Sequence, residues 1–267
     1  MSALRPPTDD CLLEVVGLSK SFKGLLAVDD YRVQLRRGEI LGIIGPNGAG
    51  KTTVFNLITG TLIPTAGRVH FKGQDITGHL PYRIARRGMA RTFQTIRLFD
   101  SMSALDNVRV GLQMHGQAGL GETLLSLPGF ARRERALESE ALRLLDLFGL
   151  ADQRHSQAHG LPFGLQRRLE IACALATRPD VLLLDEPAAG MNPREKEDLL
   201  SLIGQIKQAF ELTIVLIEHD MRVIMGICHR IQTLNYGRII AEGSPAEIQN
   251  HPQVVEAYLG HGRIARS

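Results

Sequence analysis

The sequence predicts an α/β fold, on three observations. Between Ile40 and Ile58 an apolar run (Ile40-Leu41-Gly42-Ile43-Ile44), a glycine-rich turn and a helix-forming segment (Val54-Phe55-Asn56-Leu57-Ile58) follow directly on one another. Short β segments surround that unit, while later apolar strands alternate with helices, the pattern of a core sheet covered by helices. From Thr95 to about Leu161 no convincing strand occurs, so this stretch reads as a helical subdomain inserted into an α/β core.

Taken in order, residues 1–10 read as a loose leader, Leu12–Val16 as a strand, Ser19–Gly24 as a turn-rich link and Ala27–Leu35 as a second strand. Arg37-Gly38 turns the chain into the Ile40 strand, and after the first helix Pro64–Gly67 turns it into a strand at Arg68–Phe71. Pro81 sits where a helix begins and Gly88 where it closes, and Met89–Gln94 returns as a strand. A helix starts at Ser103. The stretch from Gly111 to Gly129 is glycine-rich and irregular, and Arg133–Phe148 is amphipathic. A helix at Gln166–Ala176 precedes the strand Val181–Leu184, and a helix at Arg194–Phe210 precedes the strand Leu212–Ile217. Ile231–Ala241 reads as a hairpin around Asn235-Tyr236-Gly237, Ser244 caps one further helix, Pro252–Leu259 forms another, and Gly260–Ser267 is a short basic tail. We expect one domain, 1–267, with 12–94 and 177–242 as core and β subdomain, 95–176 as helical subdomain and 243–267 as C-terminal helices and tail.

Composition narrows the function. A chain of 267 residues that is 44% hydrophobic and 22% charged suits an ordinary soluble domain with a sizeable core. Its net charge of +3 is too small to argue for nucleic acid, but it suits an anionic ligand or the cytoplasmic face of a membrane. Three scattered cysteines without a C-x-x-C pair point to a reducing compartment and away from zinc. No apolar run approaches the roughly 20 residues of a membrane span, and Met1–Asp10 lacks the apolar core of a signal peptide. The expectation is a cytoplasmic protein that reaches a membrane only by docking.

The turn after Ile44 is Gly45-Pro46-Asn47-Gly48-Ala49-Gly50-Lys51-Thr52-Thr53, a match to the phosphate-loop pattern G-x-x-x-x-G-K-[ST] in its required place between strand and helix. Glycines let successive N–H groups turn inward around a phosphate, and the helix adds its positive end. Lys51 would reach the β- and γ-phosphates and the Thr52 hydroxyl would hold Mg²⁺. Val181–Leu184 ends in Asp185, the form needed to bring a carboxylate to Mg²⁺, and Glu186 beside it would act as the base on an attacking water.

The stretch Leu161-Pro162-Phe163-Gly164-Leu165-Gln166-Arg167-Arg168-Leu169-Glu170 resembles the signature of the ATP-binding cassette (ABC) ATPase family, Leu-Ser-Gly-Gly-Gln followed by a basic helix. Leu161, Gly164 and the Gln166–Ala172 helix carry the match. Pro162 departs from it, offering neither the hydroxyl nor the N–H of the usual serine. The resemblance covers about Leu12 to Leu259. It implies a phosphate-loop NTPase fold of ABC type, with an antiparallel β subdomain and an inserted helical subdomain. It also implies Gln94 as the Gln-loop residue near Mg²⁺ and the attacking water, and His219 as a γ-phosphate contact. By the same resemblance Phe22 stacks on adenine, and Ala189-Gly190-Met191-Asn192 crosses between two ATPase copies, with Asn192 where aspartate is common. Leu161 to Gln166 would act on the partner's ATP.

Phe163, Pro187–Pro193, Ile217-Glu218-His219-Asp220-Met221, Arg91–Phe99 and Ala257-Tyr258-Leu259-Gly260 look like the ATPases of branched-chain amino-acid importers. That branch implies a second ATPase subunit, identical or paralogous, two integral-membrane permeases and, indirectly, a periplasmic or extracellular solute-binding protein. It implies ATP with Mg²⁺, no nucleic acid, and a place at the cytoplasmic face of the inner or plasma membrane. A cassette for urea or amides, or a lipid-type exporter, would share fold and chemistry. A cassette acting on DNA or the ribosome would bring long coiled coils or a second cassette.

Overall fold

The structure is a computed structural model that describes residues 10–114 and 128–264. Its chain opens on a hairpin, β1 (Cys11–Phe22) and β2 (Leu25–Arg36), followed by β3 (Ile40–Ile44) and α1 (Lys51–Ile58) on either side of the glycine-rich turn. β4 (Ala66–Phe71) and β5 (Gln74–Asp75) join the hairpin in an antiparallel sheet of order β2-β1-β4-β5. α2 (Pro81–Ala85) and β6 (Met89–Arg91) lead into the helices α3 (Ala104–Gln113), α4 (Pro128–Leu147) and α5 (Phe163–Ala176). Strands and helices then alternate: β7 (Val181–Asp185), α6 (Pro193–Ala209), β8 (Thr213–Ile217), α7 (Met221–Ile227) and β9 (Arg230–Asn235). β10 (Arg238–Gly243), α8 (Pro245–Gln249) and α9 (Pro252–Ile264) finish the described chain.

The uninterrupted apolar runs become the middle of a second sheet, of order β10-β9-β3-β8-β7-β6. β3, β7 and β8 are buried at every residue, as parallel strands covered on both faces must be. Alternate side chains feed two cores. Leu41, Ile43, Val181, Leu183, Val215 and Ile217 join the side chains of β1, β2, β4 and α1. Ile40, Ile44, Leu182, Leu184, Ile214 and Leu216 face the layer of α3, α4, α5, α6 and α7. This period of two decides which core each side chain of the central strands enters.

Several sequence expectations change. β1 does not stop at Val16. Lys20, Ser21 and Phe22 stay paired to Val28, Leu26 and Leu25, so the expected link at Ser19–Gly24 shrinks to Lys23-Gly24. Both of those residues take positive φ (47° and 91°), which suits the right-handed twist of a two-residue hairpin. β6 ends at Arg91 rather than Gln94. α3 continues through Gly111 to Gln113 because that glycine lets α3 approach α5; a Cβ there would lie 2.7 Å from the Cys173 carbonyl. α4 begins at Pro128, and α5 begins at Phe163, three residues earlier than its apolar pattern suggested. Pro162 takes the N-cap position, where its missing N–H costs nothing and its carbonyl accepts from the Leu165 and Gln166 N–H groups. α7 and β5 are additions, and α9 extends to Ile264, into the expected tail. The expected leader lies outside the described residues except Asp10, as does the excursion from 115 to 127.

Candidate functional site

The register of the core sheet gathers the sequence-predicted groups. Ile217 pairs with Ile43 on one side and Asp185 on the other, so the turn after β3, the acidic pair after β7 and Glu218-His219 after β8 leave the sheet side by side. Ligands of open α/β sheets bind at this edge. A cleft of about 550 Å³ opens there, lined by Asn47 to Thr53, Gln94, Glu186 and His219, with Ala27 at its rim.

The glycine-rich turn is shaped by close approach. Gly45 has φ +147°, and a Cβ on it would lie 2.1 Å from the Leu234 carbonyl; Gly50, at φ +101°, would press on the Ala27 carbonyl at 2.6 Å. Only glycine fits either place. Lys51 is buried and its Nζ donates to the carbonyls of Gly45 (2.8 Å) and Pro46 (3.0 Å). Burial lowers its pKa, against the opposing pull of the nearby Glu186 and Asp185 charges.

Behind the cleft lies Asp185, 1% exposed. Arg91 donates to its Oδ2 at 2.7 Å, reaches Asn56 Oδ1 at 2.7 Å, and lies over the Phe93 ring. Burial raises the Asp185 pKa, and Arg91 works against that rise. Asp185 Oδ1 is buried without a hydrogen-bond partner. An orphaned carboxylate oxygen beside a phosphate cradle is a hard donor of the kind Mg²⁺ takes, so the donor set fits that ion.

Glu186 adopts φ +48°, a conformation non-glycine residues seldom take, and its N–H is held by the Ile217 carbonyl at 2.9 Å. Its Oε2 accepts from Gln94 Nε2 at 3.0 Å and lies 3.9 Å from His219 Nδ1. Strain of this kind clusters where a side chain must be aimed. Next to it, the buried Glu218 accepts from the Ala188 N–H (2.8 Å), tying the turn after Pro187 to β8; burial raises its pKa most strongly.

Gln94 is held from behind by α5. Arg167, 1% exposed, donates to the carbonyls of Phe93 (2.7 Å) and Gln94 (2.9 Å) and to Glu170 Oε2 (2.6 Å). Glu170 Oε1 in turn accepts from the Phe93 and Arg97 N–H groups at 3.2 and 3.3 Å. Arg167→Met should therefore cost about 3–5 kcal/mol in urea unfolding, because it strands a buried carboxylate. The double variant with Glu170→Leu should recover part of that loss.

Not every predicted residue meets the cleft. Phe22 is exposed at the tip of the β1–β2 hairpin, with the Lys20 ammonium 5.2 Å from its ring, and does not line it. Nor do Leu161 to Gln166. Leu161 is buried, Pro162 and Phe163 are exposed, and Gln166 folds back to donate to the Leu161 carbonyl at 2.8 Å. Phe163 also meets the neighbouring loop: a Cβ on Gly190 would lie 3.3 Å from its ring. In that loop, Asn192 serves as N-cap of α6 in a reciprocal pairing with Glu195, a task asparagine performs as well as aspartate.

Arg91, Arg167, Glu170 and Glu218 lie in stretches the sequence singles out, but the sequence assigns none of them a role in the site. The signal available for them was charge inside otherwise apolar elements, with an i,i+3 opposite-charge pair for Arg167 and Glu170.

Comparison with known proteins gives family, relatives and fold neighbours. A family model described as ABC transporter matches residues 28–189, and one described as branched-chain amino acid ATP-binding cassette transporter matches 238–263. The chain is 45% identical over 249 residues to the high-affinity branched-chain amino acid transport ATP-binding protein LivG of Escherichia coli (strain K12), covering 93% of this chain and 98% of that one. Among solved structures, the ADP conformation of an ATP-binding cassette of an ABC transporter superposes with a TM-score of 0.81 at 31% identity, covering 94% of this chain and 99% of that one. A dimeric ATP-binding cassette in a post-hydrolysis state, bound to ADP and Pi, gives 0.75 at 25% identity over 88% of this chain and 99% of that one.

Proposed function

The chain belongs to the ABC transporter ATP-binding family, and from that premise we propose that it is the ATP-hydrolysing subunit of an importer for branched-chain or related amino acids, driving uptake through partner permeases. The observation that supports this best is the joining of Asn47–Thr53, Gln94, Glu186 and His219 around one cleft. The importer branch draws support from the similarity to LivG and from the match at 238–263.

In this reading the N–H groups of Gly48 to Thr53 and the start of α1 bind the β- and γ-phosphates. Lys51 exchanges the Gly45 and Pro46 carbonyls for phosphate oxygens. Phe22, whose ring is exposed, stacks on adenine. Glu186 takes the proton of the attacking water, Gln94 holds that carboxylate in place, and His219 donates to the γ-phosphate. Thr52, Asp185 and Gln94 would hold Mg²⁺, which neutralises charge building on the phosphates.

Leu161 to Gln166 serve the nucleotide of a second cassette, and Ala189 to Asn192 cross to it. That Leu161 to Gln166 stand away from this chain's own cleft, and that a dimeric relative holds ADP and Pi, both favour this arrangement. We take 12–94 and 177–242 as the nucleotide-binding body, 95–176 as the helical part facing two permeases, and 243–267 as the C-terminal part. Among the described residues no helix is long and apolar enough to cross a membrane, so attachment at the cytoplasmic face would run through the permeases, with a solute-binding protein on the far side.

Because Pro162 lacks the serine hydroxyl, the ATP site that this chain's signature completes should be the slower of a pair. Pro162→Ser should raise turnover at that site roughly tenfold, the weight of one hydrogen bond to a charged group; an unchanged rate in a defined pair removes the idea. The function itself is tested by deleting the gene and measuring uptake of labelled leucine, isoleucine and valine. Loss of that uptake supports the reading. Loss of urea or amide uptake alone assigns the cassette to another solute.

A further inference from the structure

The Ala257-Tyr258-Leu259-Gly260 stretch carries a contact that the proposed hydrolysis does not use. Tyr258 lies on α9, packed against the larger core. Its hydroxyl accepts the N–H of Gly45, 213 positions earlier in the chain, at 3.0 Å. Gly45 is the first residue of the phosphate loop, and it is buried. Its carbonyl accepts the Lys51 ammonium at 2.8 Å, and its φ of +147° is the bend by which the chain leaves β3. One residue thus joins the C-terminal helix to the lysine of the cleft: hydroxyl to Gly45 N–H on one side, Gly45 carbonyl to Lys51 on the other.

We propose that Tyr258 is a positioning residue for the nucleotide, its hydroxyl fixing the entry of the phosphate loop so that α9 sets the affinity of the cleft. The inference rests on the reading of the cleft as a nucleotide site. Without the hydroxyl, a buried N–H at the loop's root loses its partner, and the loop is free to settle on another acceptor. Any such shift moves the N–H groups after Gly45, whose bonds of about 2.7–3.2 Å to phosphate oxygens tolerate only a fraction of an ångström of misplacement. A tyrosine serving only to fill space would be replaced by phenylalanine with no effect on nucleotide.

The test uses the full chain carrying Tyr258→Phe, which keeps the ring and its packing. Binding of a fluorescent ATP analogue with Mg²⁺ is measured well below the unfolding midpoint of each protein. ATP affinity should fall about 3- to 10-fold, the weight of one hydrogen bond. In the assembled transporter the KM for ATP should rise by a similar factor while kcat changes less than about twofold. Val255→Ala, on the exposed side of the same helix, should leave affinity unchanged. Unchanged affinity in Tyr258→Phe overturns the proposal, and so does an equal loss in Val255→Ala, which would mark a general effect of perturbing the helix. Should the unsubstituted chain bind no ATP, the nucleotide-site reading falls and this inference with it. Intact binding with an indifferent Tyr258→Phe overturns this inference alone.

Discussion

Glu186→Gln should bind ATP normally and stop turning it over. The substitution keeps the shape of the side chain, and the amide oxygen can still accept from Gln94 Nε2, which lies 3.0 Å from the carboxylate. Glutamine meets the same backbone cost as glutamate at φ +48°, so the turn after β7 should survive. What is lost is the capacity to take a proton, an effect of roughly 10²- to 10⁴-fold in rate. Removing a negative charge from the cleft also lowers repulsion toward the γ-phosphate, so ATP affinity should hold or rise. Phosphate release by the assembled complex at saturating ATP is the readout. A rate within about threefold of the unsubstituted complex would take the role of base from Glu186.

Lys51→Ala should show the opposite division, losing affinity first. In the structure the ammonium is buried, with the carbonyls of Gly45 and Pro46 as partners and the Asp185 and Glu186 charges nearby. Burial works against its charge, and phosphate oxygens would offset that cost, so binding gains more from this group than from an exposed lysine. One hydrogen bond to a charged group is worth about 1.5–3 kcal/mol, or roughly 10- to 150-fold in affinity. Titration of labelled ATP into the variant measures it, and an affinity equal to that of the unsubstituted chain would remove Lys51 from the phosphate site.

Much of this site could be read from residue order because its parts sit at the ends of β3, β7 and β8. Strands buried on both faces give unbroken apolar runs, and the residues just after such a run face the ligand edge in this fold type. β1 was harder: Gly17, Ser19 and Lys20 belong to a half-exposed antiparallel sheet with shifted register, where the apolar alternation fails although pairing continues. α7 is seven residues long, too short to display a helical period. The supports of the site were hidden for another reason. Arg91 meets Asp185 across 94 positions, Arg167 meets Gln94 across 73, and Tyr258 meets Gly45 across 213. No local pattern encodes such pairs. They arise from the register of the sheet and the seating of α5 and α9, so they become visible only once the chain is folded.

The supporting contacts also bear on coupling. The helix that begins with Phe163 and Gly164 grips the backbone of Gln94 through Arg167, and Gln94 touches Glu186. A displacement of α5 by a partner would therefore reach the residue proposed as base through two side chains, with the Arg167–Glu170 pair too deeply buried to yield separately.

The central claim, ATP hydrolysis spent on amino-acid import, is met most directly in proteoliposomes carrying this chain with its partner cassette and permeases, with ATP on the cassette side. Solute-binding protein loaded with leucine, isoleucine or valine should stimulate hydrolysis and deliver the amino acid to the ATP side, and the Glu186→Gln complex should do neither. Hydrolysis indifferent to the loaded binding protein, or delivery that continues with Glu186→Gln, would contradict the account.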